Sequence, residues 1–296
     1  MSAKQNRASG NAAGGFRRIL IASDLTPYAD RAFDRAVILA EQNRAVVRLI
    51  HSVETEGLTQ EYLNSAIRDA ESYLEREARE SGLDKFSDAS VNVVHGSAET
   101  AITEEAQAFR ADLIVLGLTH DKSLVGMVRG TTIDKVVRRA NSPVLVVKTR
   151  ARRPYVRITV AIDLAEPSRA ALDFVLRAFP DAKISIIHVT EPASEGLASD
   201  ELRSASLAKQ RQQVVDMVTA KFLAVGRSVS ESGESPIIHF KDGIAVNVLP
   251  EQISKLDPDL VVMGTYGRTG IANLVLGSVA ETLLDILRLD MLVVRG

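Results

Sequence analysis

The amino-acid sequence predicts an α/β protein of two doubly wound domains, each a five-stranded parallel sheet with helices on both faces. Three observations carry this: an internal repeat spanning the chain, apolar runs of strand length, and helical spacing between those runs. RRILIASDL at 17–25 recurs as VRITVAIDL at 156–164, an offset of 139 residues. RLIHSVE at 48–54 recurs as SIIHVTE at 185–191, and ADLIVLGLTH at 111–120 as PDLVVMGTYG at 258–267. The last blocks, SPVLVVK at 142–148 and LDMLVVR at 289–295, stand 147 residues apart. Order is kept while the offset grows, so insertions fall between blocks, mainly around the second helix.

Taken in order, strands are expected near 17–23, 45–52, 90–95, 112–117 and 143–147, with their counterparts in the second half. Between them, Ala32, Val37 and Ala40 line one face of a first helix, and Ile67, Ala70 and Leu74 one face of a second. Continuously apolar strands alternating with helices indicate a parallel sheet covered on both faces and joined by right-handed crossovers. Domains are expected at 16–149 and 156–296, joined by a linker at 150–155 that is rich in arginine and contains Pro154. Residues 1–15 lack an apolar core segment and read as a disordered tail rather than a signal peptide.

Composition narrows the function classes. The 296 residues carry a net charge of −2 with the charges dispersed, which argues against a nucleic-acid partner. No apolar run approaches the roughly 20 residues that cross a bilayer, so a cytoplasmic chain with no membrane partner is expected. With no cysteine, disulfides, thiolate zinc sites and cysteine nucleophiles are excluded together. The histidines are His51, His95, His120, His188 and His239; four are expected at equivalent strand ends, in structural roles, and no protein-held metal is expected. Neither G-x-x-x-x-G-K-[ST], G-x-G-x-x-G nor G-x-S-x-G occurs. Charged faces of the long second helices, such as Arg68, Glu71, Glu75 and Arg79, read as solvated surfaces with local ion pairs.

A doubly wound sheet takes ligands at the carboxyl ends of its strands, where the strand order reverses. Asp24, Asp163, Gly117 and Gly264 fall at such ends. In the second half Gly264, Gly267 and then Gly277-Ser278 form the pattern G-x2-G-x9-G-S between a strand and a helix. Glycines there let backbone approach a ligand, and a helix start at Ser278 offers unpaired N–H groups and a positive dipole end to phosphate. Singly these features are ordinary: a turn glycine, and a Ser278/Glu281 capping box. Together they point to a nucleotide site. The first half keeps Asp24, Gly117, Gly130 and Thr131 but has His120 in place of Gly267 and Arg129 in place of Leu276. Its site is either degenerate, because a Cβ narrows the loop, or altered, because both side chains add donors for an anion.

The segment MGTYGRTGIANLVLGSVAETLLDILRLDMLVVR resembles the ATP-binding signature of the universal stress protein family, and the resemblance covers nearly the whole chain, twice. It implies flavodoxin-like domains with strand order 3-2-1-4-5 and ATP along the strand ends, with magnesium able to arrive alongside the nucleotide. It further implies an ATP site built from Ala161, Ile162, Asp163, Val189, Met263, Gly264, Gly267, Arg268, Gly277, Ser278 and Val279. The halves are expected to pair through 143–147 and 291–295 as an intramolecular pseudo-dimer, which leaves a homodimer of chains open. The role implied is stress response through nucleotide-dependent conformation or partner binding, without obvious catalysis. The alternatives are a slow ATPase or nucleotidyl-transferring enzyme using Asp163, and a nucleotide-independent adaptor or small-molecule or lipid carrier.

Overall fold

The computed structural model describes residues 15–26, 29–54, 57, 59–85, 89–118, 131–191, 200–227, 236–265 and 276–296. The first half runs β1 (Arg18–Ala22), α1 (Ala29–Asn43), β2 (Val46–Val53), α2 (Gln60–Ser81), β3 (Ser90–His95), α3 (Ala98–Phe109), β4 (Leu113–Gly117), α4 (Thr132–Arg139) and β5 (Val144–Val147). The second runs β6 (Arg157–Ile162), α5 (Glu166–Ala178), β7 (Lys183–Thr190), α6 (Asp200–Ala224), β8 (Ile237–Asp242), α7 (Ala245–Leu256), β9 (Leu260–Gly264), α8 (Ser278–Ile286) and β10 (Asp290–Val294). Strand positions in the first half match the sequence reading to within about a residue.

The strands form one ten-stranded sheet in the order β3-β2-β1-β4-β5-β10-β9-β6-β7-β8. Each half therefore has the order 3-2-1-4-5, with all pairings inside a half parallel. The halves meet where β10 runs antiparallel to β5, with Met291 opposite Val146, Leu292 opposite Leu145 and Val293 opposite Val144. That pairing satisfies two edges that would otherwise stand open. It also turns the carboxyl ends of the strands in one half away from those in the other.

Side chains alternate across the sheet into two apolar layers. Ile19, Ile21, Val160 and Ile162 pack with α1, α2, α5 and α6 on one face. Leu20, Ala161, Val261 and Met263 pack with α3, α4, α7 and α8 on the other. Helix ends follow local chemistry: the Thr59 hydroxyl caps α2 by accepting the Tyr62 N–H, and Gly82, at φ 81°, ends it in the left-handed conformation. His51 and His188 match across the halves at an offset of 137 residues, whereas Gly96 and Gly243, each a positive-φ glycine just past the third strand, match at 147. The ten extra residues of the second half thus enter around α6, as the repeat predicts.

The seam contains a buried polar knot. Asp290, with no exposed surface, accepts hydrogen bonds on Oδ1 from the Lys148 N–H (2.8 Å), the Thr149 N–H (2.9 Å) and the Thr149 hydroxyl (2.9 Å), and on Oδ2 from the Tyr155 hydroxyl (2.6 Å). The Arg35 guanidinium lies 3.6 Å from Asp290 Oδ2 and stacks 3.8 Å from the centre of the Tyr155 ring. Phe16, ahead of β1, stacks on Phe174 of α5 and meets Phe179 edge-on, adding an apolar tie between the halves.

Candidate functional site

The carboxyl ends of β6, β7 and β9 bring the second half's candidate residues to one edge of the sheet. Ala161 and Ile162 end β6, both buried, with Ala161 in register with Met263 of β9. Asp163 follows at once. Val189 is half-buried near the end of β7, on the α7–α8 face of the sheet. Met263 and Gly264 end β9, Gly277 caps α8, and Ser278 and Val279 are its first residues. Gly267 and Arg268 lie outside the described residues, as do His120, Arg129 and Gly130 of the first half.

The connection between β9 and α8 is closed at its neck. The Thr265 N–H donates to the Val294 carbonyl (3.0 Å), and the Thr265 carbonyl accepts the Gly277 N–H (2.6 Å). Thr265 is 6% exposed, and its hydroxyl is buried with no hydrogen-bond partner among the described residues. A buried hydroxyl left unpaired costs roughly 1–3 kcal/mol, so it stands out as a group awaiting a partner. By the repeat, Thr265 corresponds to Leu118, which is half-buried and apolar. Sequence reasoning passed over this exchange because threonine after a strand is unremarkable; lining the halves up one position past Gly264 and Gly117 would have exposed it.

The two helix starts differ as well. The cap of α4 is Thr131, whose hydroxyl accepts the Asp134 N–H at 3.4 Å. The cap of α8 is Gly277, which has no side chain to offer. Glu281 N–H bonds the Gly277 carbonyl at 3.0 Å, so the N–H groups of Ser278, Val279 and Ala280 precede the first intrahelical bond and meet no side-chain cap. The capping box read at Ser278 and Glu281 is therefore not formed: Ser278 sits inside the first turn, one position too late to cap it. This strengthens the helix start as an anion site, since its N-cap offers no side-chain acceptor to those donors.

Two sequence expectations change in detail. Gly264 is small because α5 packs on it: a Cβ there would stand 2.6 Å from Pro167 Cβ, 2.7 Å from the Pro167 carbonyl carbon and 2.9 Å from the Ser168 nitrogen. Helix packing accounts for that glycine, with no ligand needed. The histidines are equivalent only as one pair: His51 and His188 each place Nδ1 against a strand-end carbonyl, Ser23 at 2.8 Å and Ile162 at 2.9 Å. His95 lies beside Val53 whereas His239 lies beside Ile187, so those two occupy different registers.

Asp163 and Asp24 both close their strand-to-helix connections. Asp163 Oδ1 accepts the Ser168 hydroxyl (2.6 Å) and the Ala165 N–H (2.9 Å); Asp24 Oδ1 accepts the Thr26 hydroxyl (2.6 Å) and N–H (3.0 Å). All four of these bonds end on Oδ1. Gly117 ends β4 half-buried, and Thr131 is committed to the α4 cap. The first half thus brings Asp24, Gly117 and Thr131 to its own edge, with the helix donors partly spent. No cluster of metal-ligating side chains occurs among the described residues, and no helix among them is long and apolar enough to cross a membrane.

A doubly wound sheet repeated in tandem, with a helix start at the switch point of each copy, places the chain among the doubly wound α/β proteins, which take their ligands at the carboxyl ends of the strands. The model of the universal stress protein family matches residues 15–148 and again 154–295, and the chain belongs to that family. It is 25% identical to a universal stress protein E homolog of Haemophilus influenzae, over 95% of this chain and 97% of the relative. It is 27% identical to universal stress protein E of Escherichia coli K12, over 69% of this chain and 66% of that protein. Among solved structures, a universal stress protein of Archaeoglobus fulgidus superposes with a TM-score of 0.69 at 16% identity, over 94% of this chain and 98% of its own. One described as a putative universal stress protein, from Pseudomonas aeruginosa, gives 0.65 at 23% identity, over 95% and 93%. At those identities the two structures share the fold.

Proposed function

We propose that the chain consists of universal stress protein domains at 16–149 and 156–296 joined by 150–155, and that the second binds ATP at its strand ends. The phosphates lie at the start of α8, held by the N–H groups of Ser278 and Val279, with Gly277 leaving room and Gly267 and Arg268 contributing from the preceding connection. Asp163 stands by the nucleotide at the end of β6, Val189 flanks the base, and Ala161, Ile162 and Met263 form the apolar floor. Magnesium enters only with the nucleotide. The observation that carries this reading is the open start of α8 beside the unpaired Thr265 hydroxyl, set against the hydroxyl-capped start of α4 beside Leu118.

The first half has lost this site or changed it. The protein acts in the cytoplasm in stress response, by changing conformation or partner surface with nucleotide occupancy. Asp163, at the end of β6, already accepts two protein hydrogen bonds, which suits a holding role better than that of a base.

The test is equilibrium binding of ATP to the purified chain and to its Gly277→Asp variant. Gly277 has φ −63° and ψ 146°, which aspartate adopts readily, and aspartate is a good helix cap. The variant therefore folds with α8 intact while placing a carboxylate where the phosphates belong. Micromolar binding that the variant abolishes supports the reading; binding that survives it, or no binding to the unaltered chain, sinks the site.

A further inference from the structure

Helix α8 has no basic residue in its own last turn, whereas α4 ends on Arg138 and Arg139. The missing cation comes from the other half. Lys148, which follows β5 and is 3% exposed, crosses the seam and donates from Nζ to the Leu284 carbonyl (2.5 Å) and the Leu287 carbonyl (2.9 Å), two acceptors at the end of α8. Its backbone N–H is pinned on Asp290 of β10. The counterpart of Lys148 by the repeat, Arg295, is half-buried and reaches the other way to the Arg139 carbonyl and the Asn141 side chain past α4, through solvent-exposed bonds of 3.4–3.5 Å. Of this pair, Lys148 is the buried cation, and it sits at the end of α8.

From this geometry we propose that Lys148, supplied by the first half, is a positioning residue for the phosphate site at the opposite end of α8 in the second half, and couples that site to the seam. The proposal rests on the ATP reading given above. α8 is nine residues long, so its two ends lie about 13 Å apart. A cation seated on its last carbonyls fixes the helix against the sheet and adds an attractive field, poorly screened by solvent, toward a triphosphate at its start. Coupling is reciprocal: a bound polyanion favours the protonated amine, and loss of the proton weakens the polyanion's binding.

Charged and titratable groups from several elements face Lys148. Asp290 of β10 and Asp285 of α8 act on it as neighbouring acidic groups that pull its value upward. The Tyr155 hydroxyl, from the linker, is held well above its usual range by burial and by Asp290. On the α1 side, Asp30, Arg31, Asp34 and Arg150 share with it the wall of a cleft of about 410 Å³. Burial brings the Lys148 amine down to about 8, below the other lysines' ordinary range.

The experiment is calorimetric binding of ATP from pH 7 to 9.5 on the full chain and on Lys148→Met, Lys148→Arg and Asp285→Asn. For the unaltered chain, affinity is expected to fall about three- to tenfold through pH 8, as one unit charge across about 13 Å of protein implies. Lys148→Met lowers affinity by a similar factor at pH 7 and flattens the profile. Lys148→Arg flattens it with affinity kept, because a guanidinium stays charged. Asp285→Asn, at a half-buried position of α8, moves the break to lower pH while leaving the lysine in place, which keeps the proposal testable if the Lys148 variants misfold. ATP binding with the same pH profile in all four proteins overturns this inference and leaves the ATP reading standing. Absence of ATP binding in the unaltered chain at every pH overturns both.

Discussion

Burial of the Lys148 amine has a thermodynamic signature in the unliganded protein. The folded chain releases this proton near pH 8, while the unfolded chain keeps it until its ordinary value of 10.5. Between those limits the unfolded state binds more protons, so stability rises with pH. Below about pH 8 the cost of burying the charged amine is present in full, and it is relieved as pH climbs. The difference of about 2.5 pH units converts to roughly 3 kcal/mol, at about 1.4 kcal/mol per unit. Tyr155 sets the upper end of the usable window, because its raised value makes folding lose stability above about pH 10. Urea unfolding of the unaltered chain and of Lys148→Met at pH 7, 8, 9 and 10 isolates the effect, since Tyr155 and every exposed group cancel in the difference. The difference should shift in favour of the unaltered chain by about 2–3 kcal/mol from pH 7 to 10, with most of the change above pH 8. A flat difference would refute the reasoning: it would mean that Asp290 and the carbonyls of Leu284 and Leu287 hold the ammonium charged throughout.

Other expectations follow from single contacts. Gly264→Ala drives a methyl into Pro167 and should cost about 1–3 kcal/mol by overpacking; an unchanged thermal midpoint would show that α5 gives way. Asp290→Asn unpairs the Tyr155 hydroxyl and the Arg35 guanidinium in a site without solvent, and should lower urea stability by about 3–5 kcal/mol; a loss under 1 kcal/mol would make the knot incidental. Thr131→Ala removes the α4 cap, and because that bond is long the loss belongs at the low end, about 0.5 kcal/mol, read most directly as faster hydrogen exchange in the first turn of α4.

The middle of the sheet was legible in the sequence because strands such as β4, β5 and β9 are buried on both faces, so each appears as an unbroken apolar run, the pattern of a parallel, helix-covered strand. The repeat located β5 and β10, and the family resemblance supplied the expectation that they pair. Side-chain roles were less legible. Gly264 reads the same whether it makes room for phosphate or for Pro167, since the contact that decides lies almost a hundred residues away in sequence. Ser278 and Glu281 satisfy a capping pattern that a one-residue shift in the helix start dissolves. The seam knot left no local trace: Arg35, Lys148, Tyr155 and Asp290 come from four separate segments, and nothing in their spacing announces that they meet.

Joining the two halves in one polypeptide makes the β5–β10 contact a first-order event, unaffected by dilution. Two separate copies meeting about a twofold axis would have to satisfy both sides of the seam with a single sequence, so any lysine placed for one helix would be imposed on its twin. The fused chain is released from that symmetry requirement. It can bury Lys148 under α8 while Arg295 stays only half-buried, and give Thr131 to one helix start while the other is capped by Gly277. Covalent fusion thereby turns an assembly of equals into one in which each half can specialise.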